Sequence, residues 1–239
     1  MAMTLLQIAQ TFAMRQGLPQ PSFVVGNSDA QVAQILGLLQ EFCDDLVGRK
    51  FWEITTKEAT FTSLAQEDQG DIDTIAPYGY RGMVPRTFFD RTQRLEIPVA
   101  ISAQEWQMRK TLGIAGPLYQ ARVRGNHLLF IPPPAAGHSM AFEYQSEWFV
   151  TDVNGAGKKW PTADTDTFVV NDSLPVAYLR WAWKSAKGLD YSEEFRAYET
   201  MVAQEKIADR VPQTVRLDTN YQDAQPGIVV PPGSWNISN

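Results

Sequence analysis

One cysteine, Cys43, and two histidines, His127 and His138, are all that this 239-residue chain offers to thiolate and imidazole chemistry. No intrachain disulfide can form and no thiolate cage can hold zinc. A disulfide-stapled secreted domain is thereby excluded, and a reducing cytoplasm is the expected place of folding. Long apolar runs are missing too, since nothing approaches the ~18 residues that a membrane-spanning helix needs. The opening segment MAMTLLQIAQTFAMRQG lacks both a basic start and an unbroken apolar stretch, so it reads as an amphipathic helix rather than a signal peptide. Positive charge is in deficit. A net charge of −6 and a pI of about 5.0 argue against a chain that binds nucleic acid over its whole surface.

Catalytic patterns are equally scarce. Neither histidine has a Glu or His at helical metal-ligand spacing, so each is expected to be structural or superficial. Gly155-Ala-Gly157-Lys158 has the flavour of a phosphate-binding loop, but Lys159 stands where Ser or Thr would hold magnesium and no helix follows. No Gly-x-Ser-x-Gly elbow is present. The carboxylate pairs Asp44/Asp45, Asp71/Asp73 and Glu193/Glu194 could in principle flank a glycosidic bond, but solvated helix faces and helix capping explain them more simply. The expectation is a protein that is not an enzyme and takes no metal and no cofactor.

What is present is a globular composition, 44% hydrophobic and 20% charged, with enough tryptophan (7) to furnish both a core and an interface. Leu5, Ile8, Ala9 and Phe12 recur at helical spacing up to Gly17, and a second helix is expected from a Ser28/Gln31 capping box to a stop at Gly48. From Lys50 the pattern turns to strands and turns. Leu95, Ile97, Val99 and Ile101 alternate as one half-buried strand, Ser102 opens a short helix ending near Gly113, and residues 119–131 form a hairpin about Arg124-Gly-Asn126. Residues 152–166 read as an exposed loop. Two helices return after Asp172, the first with Pro175 in its opening turn, the second with Phe195, Tyr198, Val202 and Ile207 as its apolar stripe. Trp183 cannot share the face of Trp181, so the β-rich region or an interface should cover it.

This order predicts an α+β fold: a helical bundle from the N- and C-terminal helix pairs (1–49 and 169–212), an inserted β-rich domain (50–168), and an extended tail (213–239). Two charged stretches stand out in the middle. Glu67, Asp68, Asp71 and Asp73 are acidic, and Arg81, Arg86, Arg91 and Arg94 are basic. They are either solvated loop faces, opposite flanks that meet across a repeated subunit interface, or, for the arginines, a surface facing DNA phosphates. In the tail, Pro226, Pro231 and Pro232 forbid a helix, while Val229, Val230, Trp235 and Ile237 are apolar points suited to docking on a partner.

The run Val170-Asn-Asp-Ser-Leu-Pro175 leading through Tyr178, Trp181 and Trp183 to Gly188, then Glu193, Glu194, Phe195 and Tyr198, resembles the C-terminal helical hairpin of tailed-phage head-to-tail adaptor proteins. The amphipathic opening and the Lys50-Phe-Trp-Glu53 passage into strands are similar to the short-tailed-phage branch of that family. The resemblance covers the layout of residues 1–210 and leaves the β-rich middle unmatched. It implies a virion protein made in the host cytoplasm and placed at the head–tail junction, a homo-oligomeric ring of about twelve copies. The portal protein would lie above it, tail proteins below, and double-stranded DNA in its lumen, with no membrane contact. Two alternatives stay open: another tail or baseplate subunit, and a carbohydrate-binding or hydrolytic virion accessory protein that stacks Trp and Tyr on sugar.

Overall fold

The computed structural model describes residues 2–49, 52–99, 102–113 and 119–209. Helix α1 (Leu5–Gln16) opens on a reciprocal cap: the Thr4 hydroxyl accepts the Gln7 N–H at 3.3 Å, and the Gln7 side chain accepts the Thr4 N–H at 3.0 Å. Helix α2 (Ala30–Gly48) is capped by Asp29, not Ser28, because the Asp29 carboxylate reaches the Gln31 N–H at 2.7 Å. Gly48 is helical, and Arg49 takes the C-cap.

A 3₁₀ turn (Glu53–Thr55) leads into β1 (Thr56–Thr62), β2 (Asp68–Asp71), the one-turn α3 (Ile72–Ile75), β3 (Tyr80–Met83), β4 (Phe89–Asp90) and β5 (Leu95–Glu96). Then come α4 (Ala103–Leu112), β6 (Gln120–Arg124), β7 (His127–Ile131), β8 (Ser139–Ser146), β9 (Val150–Thr151), β10 (Gly157–Lys158) and β11 (Thr167–Phe168). Helices α5 (Ser173–Ala186) and α6 (Ser192–Asp209) close the described chain. The expected cap at Ser102 and stop at Gly113 frame α4, and β6 and β7 form the expected hairpin. Of the strand expected over 95–101, the described residues form Leu95–Glu96 and a parallel bridge between Val99 and Ala121, because Pro98 has no N–H to continue a ladder, and Ile101 lies outside the described residues.

Three antiparallel sheets form among the described residues. In the largest, β8 is central, with β1 along one side and β3 and β4 along the other, and β5 lies outside β4. The second runs β2-β7-β6 and the third, very short, β10-β9-β11. Phe88, Phe130, Phe142 and Tyr144 bury the space between the first two sheets with Ile72, Ala121 and Leu128. A separate core joins α1, α2, α5 and α6 to Trp52 and Phe149 and to Val150 and Phe168 of the third sheet.

The expected bundle of paired terminal helices with an inserted β domain is overturned. The chain is α+β, with six helices and three antiparallel sheets among the described residues, and a strand-rich middle that carries α3 and α4. Helices α1 and α2 do not act as a pair, since each lies chiefly against α5. The physical reason is the breadth of α5's apolar surface: Leu174, Val176, Tyr178, Leu179, Ala182 and Trp183 are all buried. Trp183 is covered by Phe12 of α1, edge to face at 5.6 Å, and not by the β-rich region. Helix α6 contributes less than its stripe suggested. It buries Tyr198 and Val202 but leaves Ile207 73% exposed. The segment expected as an exposed loop also ends inward. The Asp166 carboxylate is buried and takes the Lys158 ammonium at 2.8 Å and the N–H groups of Thr162 and Ala163, while its carbonyl accepts the Leu5 N–H.

Candidate functional site

The basic segment folds into the turns that flank β4. Phe89 pairs with Ala141 of β8 and Glu96 of β5, so its ring lies on the solvent face of the large sheet while Phe88 and Asp90 point inward. Around it Arg86, Arg91 and Arg94 meet Glu58 and Glu143 in a shallow depression of about 580 Å³. Arg86 lies 3.6 Å from Glu96, and Arg91 bonds Glu58. Arg94 and Arg81 have no ion pair among the described residues, and Arg81, on β3, does not line the depression. Arg86 (φ 64°) and Arg94 (φ 60°) both adopt left-handed backbone. Arg86 follows Pro85, a position where a turn with φ > 0 ordinarily takes glycine. Holding a side chain there costs roughly 1–2 kcal/mol.

The acidic segment lies elsewhere, on β2 of the second sheet and on α3. Asp68 accepts the Gly70 N–H at 2.9 Å and faces the His127 ring at 3.0 Å, and these contacts, the Gly70 amide foremost, hold its carboxyl below the usual range. Asp71 caps α3 by accepting the Asp73 N–H, and Asn126 donates to both Asp71 (2.9 Å) and Asp73 (2.8 Å). Glu67 pairs with Lys110 of α4 at 2.7 Å. The two charged segments are thus carried by different sheets, and no ion pair joins them within the subunit among the described residues. The tail residues Val229, Val230, Trp235 and Ile237 lie outside the described residues.

A polar cluster that sequence reasoning missed sits directly behind the arginines. Asp90 is fully buried and accepts hydrogen bonds from the Tyr119 hydroxyl, from the amides of Thr92 (2.8 Å) and Gln93 (2.9 Å), and has the His138 Nδ1 at 2.7 Å. Burial alone would raise the Asp90 carboxyl. The bonds from Tyr119, Gln93 and His138 outweigh it and hold the group below the usual range. Burial and the bond to Asp90 push the Tyr119 phenol up. Strand parity was the available signal, since Asp90 shares the inward face of Phe88. No sequence rule places His138 and Tyr119 beside it. Ser63 Oγ donates to the Ala135 carbonyl and accepts the backbone N–H of His138, and so is not aligned with the imidazole as a nucleophile would be.

Of the carboxylate pairs, Asp71 and Asp73 share Asn126, while members of the other two pairs are engaged separately. Asp45 takes Arg49 and the Tyr198 hydroxyl, Asp44 accepts the Trp160 indole N–H at 3.1 Å, and Glu194 pairs with Lys184 of α5. Among the described residues no group of three or more His, Cys, Asp or Glu could hold a metal ion, and no helix is long and apolar enough to cross a membrane. The depression thus combines three arginines, two glutamates and the Phe89 ring on a turn whose backbone amides at Thr92 and Gln93 are held by the buried Asp90. No protein-family model matches the chain, and no characterised protein matches it in sequence.

Proposed function

We propose that the chain is a structural subunit of a tailed-phage virion, the adaptor joining portal to tail, and that copies associate head to tail in a ring. In this reading the Arg86/Phe89/Arg91 face of one copy meets the Glu67–Asp73 edge of the next, and DNA passes through the lumen. The observation that carries the reading is the strained placement of Arg86 and Arg94 around a half-buried Phe89 that lines the surface depression. Two arginines occupy positions where glycine would be cheaper, on a face whose backbone is tied down from behind. A solvated loop gains nothing from that placement, whereas a recognition face does. Opposite charges on separate sheets suit a heterologous contact, which repeats around a closed ring. Distal tail residues such as Trp235 and Ile237 would dock on the portal.

The test is assembly of full-length protein carrying Arg86→Glu and Arg91→Glu, followed by sedimentation and electron microscopy. The reversal should abolish rings while the helical circular-dichroism signal stays at the parent level. Rings of normal size and yield from this variant would reject the interface and with it the reason for the reading.

A further inference from the structure

Independently of the adaptor reading, the second half of α6 is held to the subunit by charge and hardly by apolar burial. Beyond Tyr198 only Val202 is buried, with Met201 half-buried against the helical core. A helical segment as short as 199–209 falls below the ~12–15 residues at which an isolated helix is even marginal in water. Its stability has to come from what it touches. Glu199, Lys206 and Asp209 recur at helical spacing and converge on the passage from α2 to β1. Glu199 takes the Arg49 guanidinium through two hydrogen bonds. The Lys206 ammonium donates to the Arg49 carbonyl and lies 5.3 Å from the centre of the Trp52 ring. The Asp209 carboxylate closes the end of the helix, accepting the N–H groups of Glu53 (2.5 Å) and Ile54 (3.0 Å).

Trp52 does not need α6 to stay in place. Its indole N–H donates to the Leu46 carbonyl at 3.1 Å, and Phe149 meets its ring edge to face at 6.0 Å. The contacts from α6 instead cover it. Each of them is ionic or charge-assisted, and the Arg49–Glu199 pair is partly open to solvent. Such contacts weaken as the screening length shrinks from about 10 Å at 0.1 M salt to about 3 Å at 1 M. The apolar packing of α1, α2 and α5 around Leu39, Phe42 and Leu179 is not screened. We propose that α6 beyond Tyr198 is an ion-latched strap, closed over Trp52 at low ionic strength and released as a local opening when its charges are screened. Release uncovers the Trp52 ring and frees the Glu53 and Ile54 amides. Tyr198, fully buried and packed on Tyr178, keeps the first half of the helix in place.

Hydrogen–deuterium exchange of the full-length protein, followed by mass spectrometry in about 0.05 M and about 1 M sodium chloride, reads the strap directly. Amides of residues 202–209, with those of Glu53 and Ile54, should exchange about tenfold faster in high salt, while those of α1 and α2 keep one rate. Glu199→Gln with Asp209→Asn removes two of the three charges. That variant should exchange fast over the same residues already in low salt, and added salt should change it far less than the parent. Exchange in the parent that ignores salt overturns the proposal. So does acceleration spread equally over α1 and α2, which marks global unfolding and not a strap. A variant that exchanges at the parent's rate in low salt overturns it as well.

Discussion

The guanidinium of Arg49 meets the Glu199 carboxylate through two hydrogen bonds, of 2.9 and 2.6 Å, between residues 150 positions apart in the chain. Its Nε also donates to Oδ2 of Asp45 at 2.7 Å, and the Tyr198 hydroxyl donates to the same oxygen at 2.6 Å. One planar fork thus ties the end of α2 to the middle of α6, beside that helix's two buried residues, Tyr198 and Val202. The pair is partly exposed, so solvent screening limits its worth. Arg49→Lys keeps the charge but loses the fork, and is expected to lower unfolding free energy by about 1 kcal/mol. Urea denaturation of the two proteins at equal ionic strength checks this, and identical midpoints would show that the fork contributes nothing.

The Asp90 cluster predicts an acid-dependent loss of stability. The folded-state carboxyl of Asp90 lies below its unfolded value. Between those two values the folded state binds fewer protons than the unfolded one, so stability rises with pH there. The contribution is fully present above the unfolded carboxylate range, about pH 4, and is lost as pH falls through the folded value. Tyr119→Phe removes one donor and leaves the buried carboxylate under-satisfied, at an expected cost of about 1–3 kcal/mol at neutral pH. Asp90→Asn should destabilise at neutral pH and also flatten the acid limb of the stability curve. Denaturant titrations from neutral pH down to about pH 3 test both expectations, and an Asp90→Asn acid limb parallel to the parent's would refute the assignment.

Glycine at the two left-handed arginines separates folding from recognition. Arg86→Gly and Arg94→Gly relieve backbone strain, so the double variant should be as stable as the parent or more stable by about 1 kcal/mol. The same variant should assemble poorly. Thermal melts and sedimentation on the same samples check the pair of expectations. A destabilised variant would mean that the arginines serve the fold, not a partner.

Much of the local structure was legible in the sequence because it is decided locally. Ser102 and Gly113 mark the ends of α4 by their own hydrogen-bonding and backbone preferences, and Gly125-Asn126 turns the β6–β7 hairpin the same way. The error over the bundle had a tertiary cause. A helical wheel of α5 gives its apolar residues but not that Trp183 meets Phe12 or that Val150 and Phe168 share the core. Helix α6 departs from its expected stripe for the same reason: Ile207 has the right spacing, but no described residue covers it. At the candidate site the charges were visible, and their sorting onto two sheets was not. The left-handed backbone at Arg86 and Arg94 was hidden as well, since neither residue type announces it.

Gly157 offers a sharp probe of how the Trp148 indole is seated, since that ring packs on Gly79 and Gly157. An added methyl at Gly157→Ala would stand 2.4 Å from the Trp148 ring, and the indole must shift to admit it. The expected destabilisation is about 1–3 kcal/mol, as for other overpacked sites. Near-ultraviolet circular dichroism should change together with the melting temperature. A melt and spectrum like the parent's would mean that Trp148 is not held between the two glycines.

The proposed ring is tested most directly by cryo-electron microscopy of the full-length chain, alone and mixed with the portal protein of the same phage. The account predicts closed rings with a single repeated contact, in which Arg86 and Arg91 of one copy face the Glu67–Asp73 segment of the next. A protein that stays monomeric in both samples, or that forms only two-fold dimers through another face, would contradict it.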